Sequence, residues 1–297
     1  MASLDMTQSQ DGLLIPVTIA GQARKMIVDT GSPLSSLDPN AVQELGLITE
    51  RIVQGRMYDS SGRQFTKLVH IPELQIGNLK ATDKRFLVFP ENVTSDKQIA
   101  GLLGADFLRH YDIELDFAAN KLNIFDRDHC PGKVIYWPAS AVAVVPMHVN
   151  SGGYIFVPVT LEGKKFDALF DTGTFGTILE MSAAEGEFGL SPNSPGVQPV
   201  GSATESPRLY SHKFASLQLE GIAFNDPTVF LREDATDNSL RRATGTGTRL
   251  PSLSENNGDW SLILGTNELR HLHLFISYGE QKLYITAASP PPATAQR

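Results

Sequence analysis

The chain reads as short alternating runs punctuated by turns. Residues 15–19, Ile-Pro-Val-Thr-Ile, alternate toward a turn at Ala20-Gly21, and a second run, residues 22–28, ends at Asp29. The same hairpin pattern recurs at residues 157–170, with a turn at Glu162-Gly163 and an end at Asp171. Most other segments are short, β-branched and bounded by turn residues every 8–12 positions, which predicts a mainly β protein. Helical signal is confined to four short stretches: Pro39–Leu45 after Asp38, Ala105–Arg109 after Gly104, Met181–Phe188 and Asn267–His271.

The recurrence is an internal duplication. Residues 15–31 (IPVTIAGQARKMIVDTG) align without a gap on 157–173 (VPVTLEGKKFDALFDTG), at a constant offset of 142. Residues 102–124 (LLGADFLRHYDIELDFAANKLNI) align on 263–285 (ILGTNELRHLHLFISYGEQKLYI), again without a gap, at an offset of 161. The offsets differ by 19, so the second copy carries about that many extra residues, assigned to the polar stretch Arg232–Asp259. The expected organisation is a flexible N-terminus over 1–11, a first lobe over 12–126, a connection over 127–152, a second lobe over 153–286 and a flexible tail over 287–297.

Each copy ends a strand in Asp-Thr-Gly and follows it with hydrophobic-hydrophobic-Gly before a short helix. These elements are IVDTGS and LLGADFL in the first copy, with the glycine-containing stretch GRMYDSSGR between them, and LFDTGT and LILGTNEL in the second. The set resembles the aspartic-peptidase half-unit. The compact spacing from Asp29 to Gly104 is similar to the retropepsin-like form, so the chain looks like two retropepsin-like lobes fused in one. The resemblance implies a bilobal acid-protease fold: two homologous β-barrel-like lobes, a cleft between them and a few short helices. It implies an aspartic endopeptidase acting on a polypeptide substrate. In that family two adjacent carboxyls share one proton; the ionised one activates a water and the protonated one hydrogen-bonds the scissile carbonyl.

Carried onto this chain, Asp29 and Asp171 are the catalytic pair. Gly31 and Gly173 allow the loops to pass closely, and Thr30 and Thr172 hydrogen-bond across the lobe interface. Ser32 and Thr174 can bond the outer carboxylate oxygens. Gly104 and Gly265 lie behind the loops with Leu102, Leu103, Ile263 and Leu264 packing beneath. A lid is expected over residues 55–62, with Tyr58 and Gly62 as its candidate residues, and residues 200–208 are the matching stretch of the second copy. No metal or organic cofactor is implied. Both carboxyls lie on one chain, so a monomer is the expected active unit. The alternatives are an inactive peptide-binding or scaffolding protein on the same fold, or a dimer whose lobes pair between chains.

Composition narrows this little. Lys and Arg number 25 against 33 Asp and Glu, a net −8, which argues against a nucleic-acid or anionic-membrane partner. Cys130 is the single cysteine, so no intramolecular disulfide forms. The longest apolar stretch, Ala141–Met147, is too short for a membrane span. The N-terminal residues lack an apolar signal core, while related single-lobe bacterial proteins are often exported, which leans the location toward the periplasm. His271 and His273, and Asp126 with Asp128 and His129, read as solvated or hydrogen-bonded surface groups rather than metal ligands.

Overall fold

A computed structural model describes residues 1–9, 11–59, 63–127, 130, 132–139, 141–202, 208–233 and 260–288. The described chain is mainly β, with four short helices: α1 (Pro39–Glu44), α2 (Ala105–Leu108), α3 (Met181–Phe188) and α4 (Thr266–Leu269). All four fall where the sequence places helices. Asp38 caps α1 by accepting the Asn40 N–H, and α3 ends at Gly189 with φ +65°, the left-handed stop that glycine adopts at little cost.

The two copies form two sheets built alike. In the first, the hairpin strands Gly12–Ile19 and Gln22–Val28 pair antiparallel, and Gln22–Val28 then runs parallel to Ile99–Leu103. Ile99–Leu103 pairs antiparallel with Ser36–Leu37, which runs parallel to Leu79–Val88. In the second, Ile155–Leu161 and Lys164–Phe170 make the hairpin, and Lys164–Phe170 runs parallel to Leu262–Leu264. Leu262–Leu264 pairs antiparallel with Ile178–Glu180, which runs parallel to Thr228–Arg232. The central strands are buried on both faces, which is why they read as apolar runs rather than alternations. Arg232 also pairs with Glu180 through its guanidinium.

A third sheet joins the two copies. Its six strands run Ala2–Asp5, Lys121–Asp126, Tyr111–Asp116, Leu272–Ser277, Lys282–Ala287 and Ala143–Pro146. The seam is Tyr111–Asp116 against Leu272–Ser277, with Leu115 opposite Leu274 and both fully buried. Three expectations change here. Residues 1–11 are not a flexible tail: Ala2–Asp5 pairs Lys121–Ile124, and Thr7–Ser9 pairs Gly12–Leu14. The connection 127–152 contributes a strand of its own, Ala143–Pro146, to this sheet. His273 is buried at the seam, not on the surface, with Nε2 2.7 Å from Glu114 Oε1 and Trp137 stacked on its ring. Burial pushes the Glu114 carboxyl up, but hydrogen bonds from His273, Tyr136 and Asn123 outweigh it and hold the group below its usual value. The bulk of the 19-residue excess, and the tail from residue 289, lie outside the described residues.

Candidate active site

Each Asp-Thr-Gly sits where a hairpin strand leaves its sheet, held down by the strand behind it. The Asp29 N–H donates to Leu103 O at 3.0 Å, and the Asp171 N–H donates to Leu264 O at 3.0 Å. Leu103 and Leu264 are fully buried, and Leu102 and Ile263 flank them in the same strands. Gly104 and Gly265 follow, and both need to be glycine. A Cβ on Gly104 would lie 2.8 Å from the Leu34 carbonyl carbon, and one on Gly265 would lie 2.4 Å from Gly176 O. Their N–H groups donate to the hydroxyls of Ser35 (3.0 Å) and Thr177 (3.2 Å), which fix the base of each loop.

The two loops cross. Thr30 N–H donates to Thr172 Oγ1 and Thr172 N–H to Thr30 Oγ1, each at 3.1 Å. Each hydroxyl then reaches through to the opposite strand: Thr30 Oγ1 donates to Phe170 O and Thr172 Oγ1 to Val28 O, both at 2.7 Å. Both threonines are essentially inaccessible to solvent, so these bonds have no water to substitute for them. Replacing Thr30 by Val keeps the volume and leaves Phe170 O and Thr172 N–H unpaired. The expected loss is about 3 kcal/mol of unfolding free energy, read by urea titration. Thr172→Val should match it, and the double variant should lose less than the sum.

Crossing brings the carboxylates together. A Cβ on Gly31 would lie 2.2 Å from Asp171 Cγ, and one on Gly173 would lie 2.4 Å from Asp29 Cγ. Each carboxylate accepts the N–H two residues on, Gly31 to Asp29 at 2.9 Å and Gly173 to Asp171 at 2.8 Å. Thr174 Oγ1 donates to Asp171 Oδ2 at 2.7 Å, as expected. Ser32 differs: its hydroxyl donates to Leu34 O at 3.1 Å, and its backbone N–H serves Asp29 instead. Pro33 turns the chain there, where the second copy has Phe175. Loss of hydration, then the negative charge of Asp171, then a hydrogen bond with Asp171 hold the Asp29 carboxyl well above the usual carboxylate range.

Several neighbours escape the sequence reading. Burial, followed by the charges of Asp29 and Asp171, raises the Tyr154 hydroxyl far above its ordinary value. Its ring packs on Trp260 at 5.2 Å. Tyr154 is the counterpart of Gly12 at the offset of 142, outside the aligned stretch, so no match singles it out. Beneath the loops, Ser35 bonds Asp106 (2.6 Å) and Thr177 bonds Glu268. The second acid lies one position past the counterpart of the first, which a gapless alignment hides.

The expected lid is a hairpin: Met57 pairs Phe65, Tyr58 pairs Gln64, and Asp59 and Arg63 close it through backbone and side-chain bonds. Its tip, including Gly62, lies outside the described residues. Among the described residues, none of the hydrogen bonds to either aspartate comes from Tyr58. In the second copy Gln198–Val200 pairs Leu209–Ser211, and residues 203–207 lie outside the described residues. No cluster of three or more metal-ligating side chains occurs among the described residues, and no helix there is long and apolar enough to cross a membrane. Cys130 is exposed and remote from the loops in sequence.

Comparison with known proteins bears on the fold and the family. The structure is similar to the crystal structure of aspartic proteinase from Irpex lacteus, with a TM-score of 0.54 over 99% of both chains at 14% identity, a likeness of fold alone. No curated protein matches the sequence. The family model for aspartyl protease matches residues 15–107 and 157–247, one match on each copy. Together these matches cover more than half of the sequence, and the chain belongs to the aspartyl protease family.

Proposed function

We propose that this chain is an aspartic endopeptidase that hydrolyses peptide bonds with a water activated between Asp29 and Asp171. The observation that carries the proposal is the close approach of the two loops, in which each Gly backbone lies flush on the opposite carboxylate. Carboxyls held this close share one proton, because ionising both in a dry site is too costly. The proton belongs to the pair. The upward shift at Asp29, caused by burial and by Asp171, supports a proton held between the two carboxyls. The ionised member takes a proton from water while the protonated member hydrogen-bonds the scissile carbonyl. The attack gives a tetrahedral diol. Return of a proton to the nitrogen releases the amine and restores the shared proton. The substrate lies extended between the lobes, with the hairpin carrying Tyr58 closing over it. Both carboxyls come from one chain, so a monomer suffices.

The test is a peptide-library assay across pH. Activity should be highest in acid and should fall as pH rises through the elevated value of the pair, where the shared proton is lost. The folded state follows the same sign. Stability that Asp29 contributes is complete below its unfolded value and is lost as pH rises through the raised folded one. Binding of peptides without cleavage at any pH would instead indicate the inactive, peptide-binding alternative.

A further inference from the structure

We infer that a recess beside Phe175 is a binding pocket for an acidic side chain of the substrate, recognised by Arg270 a few residues from the scissile bond. The occupant rests on the peptidase reading; the pocket itself rests on how the two copies differ. The recess has a volume of about 290 Å³ and is lined by Ser9, Gly12, Leu13, Phe175, Thr266 and Arg270 among others. It is continuous with the loop that carries Asp171. Thr266 donates from its N–H (2.9 Å) and hydroxyl (3.1 Å) to Thr174 O, and Asn267 N–H donates to Phe175 O at 2.7 Å. A Cβ built on Gly12 would come to 4.0 Å from Gly173 O. The recess therefore flanks the loop that carries Asp171.

Arg109 and Arg270 are counterparts, each following one of the short helices behind the loops. Arg109 is occupied: Nη1 donates to Ser151 O at 3.4 Å, and its charge lowers the neighbouring Asp106 carboxyl against the larger upward push of burial. Arg270 is exposed, and its guanidinium lies 5.8 Å from the centroid of the Phe175 ring. Among the described residues no carboxylate pairs with it. Exchanges between the copies accompany this difference. Asn267 stands at the counterpart of Asp106, and the acid moves one position to Glu268, which is bonded to Thr177. Phe175 stands at the counterpart of Pro33, which supplies the ring. Gly12 stands at the counterpart of Tyr154, which leaves the recess without an aromatic ring at that position. A guanidinium braced on an aromatic face, with no carboxylate of its own, is a ready partner for an incoming one. The surrounding net charge of −8 disfavours acidic peptides in general, so the preference is confined to the position that meets Arg270.

The test compares the intact protein with Arg270→Gln and Arg270→Glu on a positional library that sets Asp or Glu against Asn or Gln at each position. Equilibrium binding of the matched acidic and amide peptides is measured alongside. The wild type should favour the acid at one position by about fivefold, Arg270→Gln should abolish the ratio, and Arg270→Glu should invert it. Thermal melts confirm that both variants fold. Cleavage without an acid preference at any position, a preference that survives Arg270→Gln, or a preference for apolar residues alone at the position that meets the recess would overturn the pocket and leave the peptidase reading intact. Arg270-dependent discrimination in binding without cleavage would uphold the pocket and overturn the peptidase reading. Neither cleavage nor binding would overturn both.

Discussion

Asp29→Asn and Asp171→Asn should each lower kcat by at least about 10³-fold, with the protein still folded. Asn keeps the shape of Asp and can still accept the Gly31 or Gly173 N–H, so the crossed loops survive. It cannot share the proton. Asn at either position removes one of the two carboxyls proposed to hold that proton between them. Stability should change in a pH-dependent way. Asp29→Asn removes a buried acid that is costly to ionise, so the variant should gain relative to wild type as pH rises. Single-turnover cleavage of one good peptide, with urea unfolding at two pH values, measures both effects. Activity that persists in either variant would sink the paired-carboxylate mechanism.

Gly31→Ala should be as damaging to catalysis by a steric route. The added methyl would fall 2.2 Å from Asp171 Cγ and within 2.5 Å of both its oxygens. Asp171 cannot swing away freely, because Gly173 N–H and Thr174 Oγ1 hold its two oxygens. Either the loops separate or the carboxylate abandons those donors. A displacement near 1 Å costs on the order of 10²-fold in rate, and overpacking costs about 1–3 kcal/mol in stability. Gly173→Ala should behave alike against Asp29. Gly186→Ala is the control: it lies within α3, a Cβ there meets nothing within 4 Å, and stability should rise by about 0.5–1 kcal/mol without a change in rate. Wild-type kcat in Gly31→Ala would mean that the carboxylates need not approach for activity.

The core of the site is legible because each of its parts obeys a local rule that the duplication repeats. A strand that ends in Asp-Thr-Gly, a glycine where the backbone passes under a loop, and Asp38 or Gly189 at a helix end are each written in adjacent residues. What the alignments miss is set by contacts between distant segments. Ser32 has the same hydroxyl chemistry as Thr174, yet Pro33 and Leu34 redirect it to a carbonyl. Ala2–Asp5 carries little strand signal in its sequence, and its place is fixed by the free edge of Lys121–Asp126. His273 reads as a surface residue on an alternating strand. It is buried because the strand beside it comes from the other copy and brings Glu114.

The sequence by itself carried the two matching Asp-Thr-Gly segments, the mainly β class and the four short helices, since these depend on periodicity and on residues that are neighbours in the chain; the pairing of Asp29 with Asp171 is what the family resemblance of those segments implies. Only the tertiary structure decided that the Thr30 and Thr172 hydroxyls interlock, that each glycine rests on the opposite carboxylate, and that both copies share one six-stranded sheet. The physical reason is range. Turn and strand preferences act over a few residues, whereas a carboxylate's proton affinity is set by whatever the fold packs against it, here a loop 142 residues away.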